Sequence, residues 1–533
     1  MRCIQLLWAL ISVTCVCSIE PRVDPLVIIQ QGLIFGQKSS DGSYSTFLGI
    51  PYASVNLDNP FGASEPAPAF SGIFNAIDGS IICPQSYDYI PRMISQIRNE
   101  TLDCLRLNIY VPSQAGSRNP LPVLVWIHGG NFSGGSAGEY QPKSLLKHDI
   151  IVVTINYRLG PYGFLCLDIP AVPGNQGLKD QHEALRWIRN NIAAFGGNPY
   201  KVTVAGQGSG SISALLHLFS SKTKLFDKVI AQSGTPNSYM LNKDYEIAIK
   251  LANYIGNNTT NTEDALTFLA NTSFELVTEA VTATKTILGP CAEKSYSGIE
   301  NFLSTSPYMA TNEKKIRSTP ILLGHNSKEI AGFDPYEPDD STDPFYNKIN
   351  KNFDFDENES VEDVANIVRR FYIGDAKLDI NVLDEVGNFE SDFRFNHPTQ
   401  RTIDSLLKAN PSAIYEYVFS YVGDKTAKDA GHSDEIPYLF DGVENFADPA
   451  SHLVSQNITK LWANFVKHGN PTPSSSDQEP LKWPPVTSES RPFVVIDIEM
   501  SVNNSRIFND RMAFWDLFFL MYGQRHNLYR KCN

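Results

Sequence analysis

Basic residues are in short supply: 44 Lys and Arg stand against 58 Asp and Glu, a formal net charge of −14 over 533 residues. Nucleic acids and anionic membrane surfaces need a concentration of positive charge, so neither is an expected partner. Long apolar runs are also missing. About 20 consecutive apolar residues are needed to cross a bilayer. The stretch from Ile4 to Val16 is too short, and residues 512–522 are shorter still and interrupted by Asp516. No membrane span is therefore expected. The chain contains no internal repeat and no long low-complexity tract. Its Pro- and Ser-rich stretches, 334–344 and 470–480, have the length of surface loops. With no boundary in view, residues 19–533 are expected to form a single domain.

What is present points to secretion. Arg2, the apolar stretch after it and the small pair Cys17-Ser18 read as a signal peptide over residues 1–18. Of eight cysteines, Cys3, Cys15 and Cys17 leave with that leader, so Cys83, Cys104, Cys166, Cys291 and Cys532 remain. An odd number leaves at least one thiol free or paired between chains. Asn-x-Ser/Thr acceptors for N-glycans occur at Asn99, Asn257, Asn258, Asn271, Asn358, Asn457 and Asn503. A secreted, extracellular glycoprotein is the expectation. With 42% hydrophobic and 19% charged residues, the composition is that of an ordinary globular protein with a large core.

The first half alternates strand and helix signals. Segments 121–128 (LPVLVWIH) and 150–157 (IIVVTINY) read as strands buried on both faces. Residues 177–195 read as a helix with Leu178, Leu185, Ile188 and Ile192 on one apolar stripe. A strand at 201–205, a glycine-rich turn, a helix at 211–219 and a strand at 228–232 follow. This alternation predicts an α/β fold with a large, mostly parallel sheet and helices on both faces.

The turn between the third strand and its helix reads VTVAGQGSGSIS over residues 202–213. A nucleophile elbow has the pattern Gly-x-Ser-x-Gly, its glycines allowing a sharp turn that lifts the serine to a helix N-terminus. Gly206 and Gly210 supply the flanking glycines, but the residue between them is Gly208. Ser209 cannot take the role by a shift of one, because its own flanking positions are Gln207 and Ser211. On the helix it would also point about 100° away. A dinucleotide-binding turn is the other reading of such glycines. Here Ser211 takes the third glycine's place and no acidic residue closes the next strand.

The surrounding blocks carry a resemblance. FLGIPYA at 47–53, LDCLRLNIYVP at 102–112, WIHGGNFSGGS at 126–136, NYRLGPYGFL at 156–165, GHSDEIPYLF at 431–440 and LWANFVKHGNPTP at 461–473 occur in order, among others. In these the chain resembles the type-B carboxylesterase/cholinesterase family of α/β-hydrolases. The elbow, with Gln207, is most similar to arthropod juvenile-hormone-esterase-like members. The resemblance implies a triad in the chain order Ser, acid, His. It places Gly208 at the nucleophile position, Glu329 at the acid position and His432 at the base position. Ile330 stands where the family usually has glycine. It also implies an oxyanion hole from the backbone N–H groups of Gly130, Asn131 and Ser209. Asn131 forms a further sequon with Ser133, expected to stay unmodified because a glycan there would block the gorge. Cys83 and Cys104 match the family's first disulfide. The loop they close has Tyr87 and Tyr89 but no tryptophan to stack on a quaternary ammonium, so choline esters are not implied.

A protein with this pocket and no nucleophile is expected to bind a small apolar ester-like ligand or an extracellular protein partner without cleaving it. A working serine-type carboxylic ester hydrolase is the alternative. No cofactor and no metal are expected, and Cys532 is a candidate for a disulfide-linked homodimer.

Overall fold

The computed structural model describes residues 25–85, 99–238, 244–331, 343–355, 359–423, 427–441, 448–473 and 481–527. The leader at 1–18, Asn358, Cys532, Tyr87 and Tyr89 lie outside these residues.

Eleven strands form the central sheet: β1 (Gln37–Lys38), β2 (Tyr44–Pro51), β3 (Arg106–Pro112), β4 (Leu121–Ile127), β5 (Ile151–Ile155), β6 (Gly197–Gln207), β7 (Lys228–Gln232), β8 (Pro320–Asn326), β9 (Ala413–Phe419), β10 (Phe493–Ile496) and β11 (Ser501–Asn503). Their spatial order is β11-β10-β9-β8-β7-β6-β4-β5-β3-β2-β1. From β5 to β10 every pair is parallel, and the pairs at both margins are antiparallel. The sequence dictates this placement. A strand covered on both faces must be apolar or have its polar groups paired; β4 is apolar throughout, and the one polar side chain of β5, Thr154, is buried and donates its hydroxyl to the carbonyl of Ala137 at 2.8 Å.

Side chains alternate across the sheet. Val123, Val125, Ile127, Val153, Val202 and Val204 point into one apolar core, while Leu124, Trp126, Val152 and Ala205 point into the other. Helix α1 (Gln176–Asn191) covers the first face, with Leu178, Leu185 and Ile188 buried as its periodicity predicts. Helix α2 (Ser209–Phe219) follows β6 directly and is buried at every position. Helix α3 (His397–Lys408) precedes β9. Helix α4 (Pro449–His468) lays Val454, Ile458, Leu461, Trp462 and Phe465 on the second core. Helix α5 (Asn509–Tyr522) buries Met512, Trp515 and Phe518. Among the described residues no helix is long and apolar enough to cross a membrane.

Among the described residues two disulfides are present. Cys83–Cys104 pairs as the family resemblance implies, and Cys166–Cys291 closes a loop of sequence separation 125. The second pairing was open from the sequence. Together the two bonds pair four of the five cysteines that follow the leader, and both are within the chain.

Candidate active site

The site lies at the carboxyl ends of β6, β8 and β9, where open parallel sheets bind ligands. At the end of β6 the chain reverses at Gly208, whose φ is 58° and ψ −122°, and α2 starts at the next residue. The three glycines here differ in what surrounds them. A Cβ on Gly206 would lie 2.4 Å from the carbonyl carbon of Gly210, and one on Gly210 would lie 2.1 Å from the carbonyl oxygen of Ile127. These two glycines are required by the close approach of α2 to the strands. A Cβ on Gly208 would meet only the His432 ring, 3.4 Å from Nε2. The turn therefore has room for a side chain at one position, and that position faces the imidazole.

Glu329 follows the end of β8 and is buried, with 2% of its surface exposed. Its Oε1 accepts the backbone N–H of Asn326 at 2.7 Å, and its Oε2 accepts Nδ1–H of His432 at 2.6 Å. The backbone N–H of His432 also donates to the carbonyl of Glu329 at 3.1 Å. Burial drives the Glu329 carboxyl upward, but the adjacent His432 imidazole, with smaller help from His325 and the Ser233 hydroxyl, more than offsets it and holds the group below the usual range. Burial pushes His432 down, and Glu329, by charge and hydrogen bond, raises it above the usual histidine range. The pair is thus a carboxylate that orients and charges a histidine, the arrangement a general base requires. Ile330 fits without a glycine's freedom, buried and hydrogen-bonded through its N–H to Ser391 Oγ at 3.0 Å.

The donor loop after β4 carries three consecutive left-handed residues, Gly130 (φ 104°), Asn131 (φ 54°) and Phe132 (φ 59°). Gly130 must be glycine, since a Cβ would lie 2.2 Å from the carbonyl oxygen of Gly134. Among the described residues the N–H groups of Gly130, Asn131 and Ser209 have no protein acceptor. That of Ser209 is one of the free donors of a helix's first turn. The Ser209 hydroxyl is buried and accepts the N–H of Phe132 at 3.2 Å, so it braces the donor loop and does not face His432. Unpaired N–H groups beside an elbow and a His–Glu pair are the kind of groups that can hold a carbonyl and stabilise negative charge on its oxygen.

Three neighbours of the site escape a reading of the sequence. Gln207, the last residue of β6, places its Nε2 3.0 Å from Nε2 of His432. Glu435 is fully buried, and it accepts Gln232 Nε2–H at 2.9 Å and Asn326 Nδ2–H at 2.8 Å. Burial, and then the charge of Glu329, raise its carboxyl, so the two carboxylates next to His432 are pushed apart. Phe395, on a π-helical turn at Asp392–Asn396, sets its ring 5.0 Å from that of His432. Glu435 leaves a local signal, three residues after the histidine in GHSDEIPYLF, and Gln207 sits inside the elbow motif. That Gln207 and Phe395 reach His432 is decided by the tertiary fold.

Of the sequons, Asn99, Asn258, Asn271 and Asn503 are exposed, and Asn257 and Asn457 are half-buried. Asn131 is exposed as well.

Known proteins of similar sequence are esterases and related hydrolases. The chain is 28% identical over 540 residues to the pyrethroid hydrolase Ces2e of Rattus norvegicus, covering 95% of this chain and 92% of that protein. It is 28% identical to the juvenile hormone esterase of Heliothis virescens, covering 86% and 87% of the two chains. It is 29% identical to the cholinesterase of Mus musculus, covering 90% and 84%. The sequence profile of the carboxylesterase family matches residues 23–515. With the profile spanning most of its length and the sheet and elbow of an α/β-hydrolase beneath it, this chain belongs to the carboxylesterase family.

Proposed function

We propose that this protein is a secreted carboxylesterase-family member that binds an apolar ester-like ligand, or a protein partner, without hydrolysing it. The observation that carries the reading is the space at Gly208. In the family's mechanism a serine between the two glycines gives its proton to the histidine and attacks the carbonyl carbon. Here that position has no side chain, yet His432, held by Glu329, faces it, and the N–H groups of Gly130, Asn131 and Ser209 are the donors the family resemblance assigns to the oxyanion. Loss of the nucleophile costs about 10⁶ in kcat in subtilisin. An ester held by the donors would therefore leave intact. The relatives' names, a pyrethroid hydrolase and a juvenile hormone esterase, support an apolar ester as the ligand class. Extracellular placement rests on the leader, the sequons and the disulfides. Dimerisation through Cys532 is a further part of the proposal.

The retained His432–Glu329 pair favours one second reading, hydrolysis by a water that His432 activates directly. Hydrolysis of a short-chain aryl ester by the native protein, beside its Gly208→Ser variant, separates the two. The expected result is background turnover for the native chain and a clear gain for the variant. Turnover by the native chain at an ordinary esterase rate overturns the binding role.

A further inference from the structure

We propose that Gln207 is a positioning residue that silences the His432–Glu329 pair by occupying the imidazole nitrogen that would otherwise take up a proton. The inference rests on the reading of Gly208 as an emptied nucleophile position and adds a reason why water does not replace the serine.

The hydrogen-bond directions follow from the chemistry of the groups. Glu329 Oε2 accepts from His432 Nδ1 at 2.6 Å, so in the neutral ring Nδ1 carries the hydrogen and Nε2 carries the lone pair. Gln207 Nε2 is an amide nitrogen, which only donates, and it stands 3.0 Å from that lone pair. The side chain is held there. Gln207 is 5% exposed, and it packs across Gly129, where a Cβ would lie 2.9 Å from Gln207 Oε1 and 2.8 Å from the Gln207 carbonyl oxygen. Only glycine at 129 admits the amide in this place. The vacancy at Gly208 gives the amide access to Nε2 in the first place, since a side chain there would meet the same nitrogen.

The step that this contact blocks is direct hydrolysis. A water oxygen would bond to the ester carbonyl carbon while its proton passed to Nε2. Collapse of the tetrahedral adduct would then break the bond to the alcohol oxygen, which would leave with that proton. The form of His432 able to accept a proton is the neutral one, and that is the form the Gln207 amide ties up. Protonated His432 would turn an N–H toward the amide N–H groups, so this contact belongs to the neutral ring, and protonation requires the amide to rotate its Oε1 to Nε2 or let go. The charged groups that bear on His432 are Glu329 and Glu435, which favour its protonation, and Arg394, which opposes it. In the orientation seen here the Gln207 amide, by donating to the neutral ring, would add to the opposing side.

The test is a titration of His432 by ¹⁵N-histidine NMR in the full chain, with its resonance assigned by its loss in His432→Asn. A hydrogen bond to the neutral form holds the titration down, so Gln207→Ala is expected to titrate roughly 0.7 pH unit higher. Gln207→Glu, which keeps the size but offers only acceptors, is expected to move it further in the same direction. Above that titration, Gln207→Ala is expected to gain slow aryl ester hydrolysis that Gln207→Ala/His432→Asn loses. An unmoved titration in both variants overturns the hydrogen-bond assignment. A moved titration with no turnover gained overturns the silencing role. Hydrolysis by the native chain would instead strike the binding role, so the two failures are distinguishable.

Discussion

At the scale of the residue, Gly208 combines two properties that pull in opposite directions. There is space for a side chain, but its φ of 58° with ψ −122° is a backbone conformation L-residues hold only under strain of about 1–3 kcal/mol. Gly208→Ser is therefore expected to unfold at lower urea than the native chain by that amount, with Gly208→Ala losing a similar amount. If alanine costs nothing and serine does, the backbone account is wrong. The His432–Glu329 pair makes a second prediction through pH. Glu329 is lowered from its ordinary value of 4.5, so its contribution is complete above pH 4.5 and is lost as pH falls through the lowered value. His432 is raised from 6.5, so its contribution is present below pH 6.5 and is lost as pH rises through the raised value. The stability gap between the native chain and His432→Ala, followed by chemical denaturation, should be widest between about pH 4.5 and 6.5. A gap that grows steadily toward alkaline pH would contradict the assignment.

At the scale of the element, the strands and helices around the elbow are legible because burial fixes their pattern. The strand at 228–232 falls where the apolar run places it, and α1 begins one residue before its expected start. β6 extends four residues earlier than the apolar run, because Gly197 pairs with Leu121 although neither Asn198 nor Pro199 favours a strand. α2 starts at Ser209, two residues before the expected start at Ser211, since the glycines of the turn hide its first turn. Gly208, Glu329 and His432 are legible through their motifs. The Gln207 contact spans 225 residues and the Gln232–Glu435 contact 203, and no local pattern encodes either. The same holds for Cys166–Cys291. Removing that bond by Cys166→Ser is expected to cost about 2–5 kcal/mol, because it closes a long loop, with thermal unfolding as the measure. Leu185→Ala, which opens a cavity where α1 meets the sheet, is expected to cost about 2–5 kcal/mol in the same assay.

At the scale of the whole molecule, the exposed sequons predict a specific product. Chain made in a secretory host should gain electrophoretic mobility on digestion with an N-glycosidase, and an Asn258→Gln, Asn271→Gln, Asn503→Gln variant should show less of that gain. Chain that runs at its bare mass before digestion would argue against secretion. The order of the sheet has a consequence of another kind. From β6 to β11 neighbours in space are also neighbours in sequence, so each strand can dock beside the one just before it as the chain emerges from the ribosome. The elbow is laid down first, Glu329 next and His432 last, 225 residues after Gln207. At ~5–20 residues per second that interval is on the order of 10–50 s. Until then the turn and donor loop have no histidine to face them, and the His432–Glu329 pair can form only once the second half of the chain has been made.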